Sequence, residues 1–231
     1  MSDGQRRTRK TRFVCISDTH NAGPGGGFKL PKGDVLIHAG DMTNQGSFSE
    51  LKKTIEWLEG ADFEAKIVIA GNHDITLDSD FYAQFGLYFH NQNPQDSAKC
   101  QELLERSPSL QWLKHESTVV SLASRSGPHT TFKIFGSPYS PTSGMWAFGY
   151  NTEEATHIWD RIPLDSDIVR WEDPGLNSKK ISLVDLTARG WKLLDNDGAP
   201  GDLAADMRDG SLQRKTSWRI HELHSGSPLH S

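Results

Sequence analysis

Lys66-Ile67-Val68-Ile69-Ala70-Gly71-Asn72-His73-Asp74 is the stretch on which the fold turns. A short β-branched run stops at a glycine, and three side chains able to ligate a cation or carry a proton follow at once. Runs of this length and composition read as strands covered on both faces. Two earlier runs have the same form. Arg12-Phe13-Val14-Cys15-Ile16-Ser17 stops at Asp18, and Asp34-Val35-Leu36-Ile37-His38-Ala39 stops at Gly40-Asp41. Between the second and third runs, Leu51, Ile55 and Leu58 recur at helical spacing. Ser47 and Glu50 form a capping box before them, and Gly60 supplies a stop. Strand, helix, strand predicts a parallel pair joined by a right-handed crossover.

Downstream, the pattern predicts helices over Phe81 to Leu87 and Ser97 to Leu104, and an extended region from Trp112-Leu113. Strands are read at Ser117 to Leu122 and Thr130 to Phe135, and a helix from Thr152 to Arg161 that ends before Pro163. Asp167-Ile168-Val169 opens one more strand and stops after three residues. From Arg170 the chain turns rich in Gly, Ser, Asp and Pro, with one apolar segment, Ile181 to Leu186. The organisation read from this is a basic flexible N-terminus over 1–11, a folded domain over 12–169, and a remnant with a loosely ordered tail over 170–231.

All three strand ends carry ligand chemistry: Asp18-Thr19-His20, Gly40-Asp41 and Gly71-Asn72-His73-Asp74. In an open α/β sheet, reaction centres form where loops converge at the carboxyl ends of strands. Carboxylate with imidazole suits Mn, Fe or Zn. An aspartate between two ions can bridge them, and such a pair clamps the oxygens of an in-line phosphoryl displacement. Asp18 and Asp41 are also ordinary caps and turn formers, as is Asn72, but 23 residues from Asp18 to Asp41 and 31 more to Asn72, each after a strand, is a specific set.

These motifs resemble the first three of the calcineurin-like metallophosphoesterases. Gly136-Ser137-Pro138-Tyr139 and Trp146-Ala147-Phe148 look like the small eukaryotic metallophosphoesterase-domain-containing group, and Arg170 to Pro174 with Ser182 to Thr187 resembles the part that follows the Gly-His-x-His motif in its fungal-type members. The resemblance implies an α/β layered sandwich, two packed sheets flanked by helices. It implies a metal-dependent phosphoester hydrolase that uses a metal-bound hydroxide on a small phosphoester. By the same resemblance two divalent ions (Mn, Fe or Zn) are expected: Asp18 and His20 bind the first, Asp41 bridges, Asn72 binds the second, and His73 is the general acid. Protein phosphatases of the superfamily carry Asp-Arg-Gly after the Gly-Asp and Arg before Gly-Asn-His. Met42-Thr43-Asn44 and Ala70 stand in those places, so a phosphodiesterase-like member is the better match.

The sequence also departs from the pattern. The family's Thr-His-x-Pro-like and Gly-His-x-His motifs are missing, and Val169–Arg170 reads as a join across an absent segment. The fold is therefore expected to be incomplete in its C-terminal half and the second metal site weakened, which makes a catalytically impaired scaffold the alternative. His221 and His224 share a face if helical, but read as tail residues. His38 is either a partner to the ligand loops or a satisfied interior histidine. His90, His115, His129 and His157 read as surface or loop. Trp146 and Phe148 read as core packing before pocket lining.

Composition narrows the remaining classes. A chain of 231 residues allows one domain with a tail, and 35 % hydrophobic residues is low for a chain that is all core. A net charge of −5 and a pI near 6.0 give bulk electrostatics no part in nucleic-acid binding. That idea rests on Arg6, Arg7, Arg9, Lys10 and Arg12 alone, which read as a solvated arm with no secretory signal. No apolar stretch is long enough for a membrane span. Two cysteines, with Cys15 read as a small buried hydrophobe, point to a reducing, intracellular and cytoplasmic setting. The pattern names no protein partner.

Overall fold

In a computed structural model of the chain, residues 10–26, 28–163 and 166 are described, with the backbone of short strands at 168–171, 182–183, 192–194 and 219–221. The three decisive runs form β1 (Phe13–Ile16), β2 (Val35–Ala39) and β3 (Ala65–Ile69), paired in parallel. The crossover between the last two is α1 (Phe48–Glu59), opened by the Ser47/Glu50 capping box and closed at Gly60. A 3-10 turn (Ile75–Leu77) leads into α2 (Ser79–His90), and α3 (Ser97–Glu105) follows. Helix α2 starts before Phe81 because Asp78 caps it, and it runs past Leu87 to His90.

Next come β4 (Gln111–Leu113), β5 (Glu116–Ser121), β6 (Thr131–Ser137), the two-residue β7 (Ser140–Pro141) and β8 (Gly149–Tyr150), and α4 (Thr152–Trp159). The strand opened at Asp167 is four residues long, β9 (Ile168–Trp171), and runs through the Val169–Arg170 join. Beyond it lie β10 (Ser182–Leu183), within the apolar segment read from the sequence, β11 (Lys192–Leu194) and β12 (Arg219–His221). The rest of the proposed tail, His224 included, and the basic arm at 1–9 lie outside the described residues.

One six-stranded sheet has the order β11-β12-β1-β2-β3-β4, a second has β10-β9-β6-β5, and β7 pairs with β8. Strand alternation divides the first sheet's side chains between two cores. Phe13, Cys15, Val35, Ile37, Ile67 and Ile69 meet Val120, Leu122, Phe132 and Ile134 of the second sheet. Val14, Leu36 and Val68 meet Leu51, Ile55 and Leu58 of α1 and Cys100 and Leu104 of α3. The architecture is helix layer, sheet, sheet. Each large apolar side chain so buried contributes roughly 1.5–3 kcal/mol. Gly136 lets the sheets close: a Cβ there would lie 2.8 Å from the Leu113 side chain. Cys15 and Cys100 are both buried, and they are not joined in a disulfide.

Candidate metal centre

The first ligand loop docks on the second through backbone bonds. The N–H groups of Asp18, His20 and Asn21 donate to the carbonyls of Gly40, Asp41 and Met42 at 3.1, 3.0 and 2.8 Å. Asp18, His20 and Asp41 all take left-handed backbone, with φ of 53°, 41° and 51°. Asp and His tolerate this region better than branched residues do, and the interlocked bonds hold them there. Gly40 (φ 102°) brings the second loop against the third: a Cβ on it would lie 2.9 Å from the Gly71 Cα.

Asp74 ties the loops together. It is fully buried and accepts from Gly71 N–H (2.8 Å), Met42 N–H (3.2 Å), and Thr43 N–H (2.9 Å) and hydroxyl (2.7 Å). Burial and the nearby Asp41 carboxylate push its pKa up to about 7, against the pull of those donors. His38 is also buried, and its Nε2 pairs with the Thr19 hydroxyl at 2.9 Å. Thr19 is the middle residue of Asp-x-His, so the interior histidine also buttresses the first ligand loop.

Among the described residues, Asp18, His20 and Asp41 bring one ligand atom each to within 4.8 Å of one another. His20 Nδ1 lies 3.2 Å from the Thr43 carbonyl. A carbonyl only accepts, so Nδ1 carries a proton, and Nε2, which faces Asp41 Oδ2 at 3.7 Å, is the ring atom placed to act as a ligand. Two carboxylates and a basic imidazole nitrogen fit a divalent cation of the Mn, Fe or Zn type. The other oxygen of Asp41 accepts from the His73 N–H at 2.9 Å, which ties the second ligand loop to the third.

His73 is fixed in the same manner as His20. Its Nδ1 donates to the Asn44 carbonyl at 2.7 Å. Trp146 stacks on its ring at 3.8 Å between centroids, and His20 meets it edge-on at 4.8 Å. Asn72 is buried, and its carbonyl accepts from Ala147 N–H at 3.3 Å. The segment after β7 is thereby pinned to the third ligand loop. Trp146 is half-buried rather than core, and Phe148 helps line a separate cleft of about 250 Å³ with Asp78, Trp112 and Tyr139.

Two further histidines differ from their sequence reading. His115 is buried at φ 73°, with Nδ1 2.9 Å from the Ser137 hydroxyl and Nε2 3.1 Å from the Ile158 carbonyl. Burial, then the Arg161 charge, lowers its pKa. It fastens α4 to the sheet ends. His90 is half-buried and pairs with the Tyr82 hydroxyl at 3.0 Å. In both cases the partner is distant along the chain or hidden in a helix face, so local pattern gave no sign of it. His129 and His157 are exposed as read.

Parallel strands that deliver carboxylate and imidazole to one rim, backed by a second sheet, define the metallophosphoesterase class. The calcineurin-like phosphoesterase family matches residues 11–228, and the chain belongs to it. It is 40 % identical over 174 residues to metallophosphoesterase domain-containing protein 1 of Homo sapiens and to that of Mus musculus, covering 72 % of this chain and 49 % of each relative. It is 39 % identical over 163 residues to a probable rhamnogalacturonate lyase C of Emericella nidulans, covering 71 % of this chain and 14 % of that protein. The chain thus spans about half the length of its mammalian relatives. The lyase name belongs to a protein most of which lies outside the match.

Proposed function

We propose that this chain is a metal-dependent phosphoester hydrolase of phosphodiesterase-like type, acting on a small phosphoester inside the cell. The observation that carries the reading is the Asp18/His20/Asp41 group, with donor atoms within 4.8 Å at adjacent strand ends and His73 beside it. By the family resemblance Asp18 and His20 would hold a first ion, Asn72 a second, and Asp41 would serve both; Mn, Fe and Zn all suit the donor set. When bound, divalent ions here draw charge from the phosphoryl oxygens and make a water acidic enough to serve as nucleophile. The protein's own part is to hold the groups in place. Thr43 fixes the His20 ring, Asp74 fixes the spacing of the second and third loops, and Asn44 fixes the His73 tautomer. His73 Nε2 is then the atom that gives a proton to the leaving oxygen. Met42-Thr43-Asn44 after Asp41 supports a diester rather than a phosphoprotein substrate. Two cysteines that are not joined in a disulfide support a reducing compartment. No helix among the described residues is long and apolar enough to cross a membrane.

The absent Gly-His-x-His motif favours a second reading, an impaired scaffold that holds one ion. Hydrolysis of bis(4-nitrophenyl) phosphate with Mn²⁺, Fe²⁺ or Zn²⁺ by purified protein separates the two. Metal-dependent turnover that Asp41→Asn abolishes is the expected result. A folded, metal-loaded protein without turnover overturns the hydrolase reading in favour of the scaffold.

A further inference from the structure

Helix α2 carries an aromatic stripe that the core does not use. Phe81, Phe85, Tyr88 and Phe89 stand at i, i+4, i+7 and i+8, which is one helical face. The only buried residue of the helix is Gly86. Tyr88 is 75 % exposed and Phe85 38 %, while Phe81 and Phe89 are half-buried. The rings touch in series: Phe81 lies 5.1 Å from Phe85 and 6.0 Å from Phe89, and Tyr88 lies 5.6 Å from Phe89. Phe89 then meets Trp146 at 5.5 Å, and Trp146 is the ring stacked on His73 at 3.8 Å. An uninterrupted aromatic path therefore begins at the proton donor and runs outward along the helix. From Phe81 to Phe89 it spans about 12 Å of helix axis.

Its position decides what it serves. In hydrolysis the water oxygen bonds to phosphorus, the bond from phosphorus to the leaving oxygen breaks, and the proton from His73 goes to that oxygen. The leaving alcohol must therefore sit beside His73, whose ring face is covered by Trp146, with Phe89 next to that ring. A charged or sugar-like alcohol gains little from such a wall, whereas an alkyl or aryl one loses water contact along its length. The stripe itself holds no charged residue. We infer that Trp146, Phe89, Phe85 and Tyr88 form the leaving-group subsite, and that the substrate is a phosphodiester whose leaving alcohol is a long-chain or aromatic apolar group. The inference rests on the hydrolase reading above and adds the substrate class to it.

The test uses glycerophosphodiesters of straight-chain alcohols from methanol to octanol with the Mn²⁺-loaded full chain. Products are identified by mass spectrometry, since the alcohol released reports which ester group occupied the subsite. At partial burial each methylene is worth roughly a twofold gain, so over the seven methylenes from methyl to octyl kcat/KM should rise about a hundredfold. The alkanol, not glycerol, should be the product. Phe85→Ser with Tyr88→Ser, both exposed positions, should shrink the octyl advantage to under about threefold. An active enzyme with no chain-length dependence, or one that releases glycerol, overturns the proposal while leaving the hydrolase reading intact. If no diester turns over, including bis(4-nitrophenyl) phosphate, the hydrolase reading fails, and calorimetry with octyl against ethyl phosphate decides the surface. Equal affinity then overturns it, and a preference for octyl that the double variant loses upholds it. A dimer in sedimentation that the double variant dissolves also overturns it, because the stripe would be a self-association face.

Discussion

The two sheets share one core yet do different work. In β2 every residue is buried, and β1 and β3 are nearly so. In β5 a single residue of six is buried, and Val119 is 63 % exposed. From β1 to β4 the first sheet is parallel, and these strands are covered by helices on one side and the second sheet on the other, so their ends are held from both faces. All the proposed ligands hang from those ends. Among the described residues the second sheet supplies none. It serves as the backing for the first, and the outer face of its β5 strand is largely exposed.

The largest effect should come from the clamp under the first sheet. Asp74→Ala leaves three backbone N–H groups without their acceptor in the interior, and a loss of about 3–5 kcal/mol in urea unfolding is expected. A loss under about 1 kcal/mol would show that the loops do not depend on it. His73→Gln probes the same rim through rate. For an alkyl leaving group kcat should fall about 10²–10⁴-fold. With 4-nitrophenolate, which leaves without a proton, the fall should be far smaller. Equal losses for both substrates would remove His73 from the acid role.

Glu50 gives a smaller, pH-dependent test. It caps α1 and accepts from the backbone and side chain of Asn44, whose carbonyl holds His73. Burial raises its pKa, but the Asn44 side chain and the other donors outweigh that and hold it below the usual value. A depressed carboxylate stabilises the fold above its unfolded value near 4.5, and that contribution fades as pH falls through the lower folded value. Glu50→Gln should cost about 1 kcal/mol at pH 7 and almost nothing once the pH lies well below the lowered folded value. An equal cost at both pH values, read from thermal unfolding, would contradict the linkage. The smallest effect belongs to the second sheet: Val119→Thr on its exposed face should change stability by under about 0.5 kcal/mol. A change above 1 kcal/mol would mean that this face is covered.

Much of the first sheet was legible because its information is local. β-branched runs, the Ser47/Glu50 box and the ligand triplets each lie within a few residues, and their order gives the topology. What escaped is set by contacts far apart in the chain. Nothing near Asp74 announces that it will meet Thr43, 31 residues away. His115 owes its burial to Ser137 and Ile158, 22 and 43 residues on. Trp146 was read as packing because an aromatic in a turn gives no hint that it will cover an imidazole. The strands beyond Arg170 are two to four residues long and have too little pattern to stand out from the polar segment around them. A transcript read across Val169–Arg170 bears on the join directly: an inserted family motif there would mean that the native chain carries the later histidines.

Gly40 gives the centre a fixed gauge. Because one hydrogen stands where other residues carry a methyl group, the backbones bearing Asp41 and Asn72 run almost in van der Waals contact. The separation of whatever these side chains grasp is therefore machined into the main chain before any side chain acts. Exchanging Asp, Asn or His at the rim can retune which element is preferred, but the jaw width stays constant. Widening it would take a change at Gly40, a position with no side chain to offer a ligand.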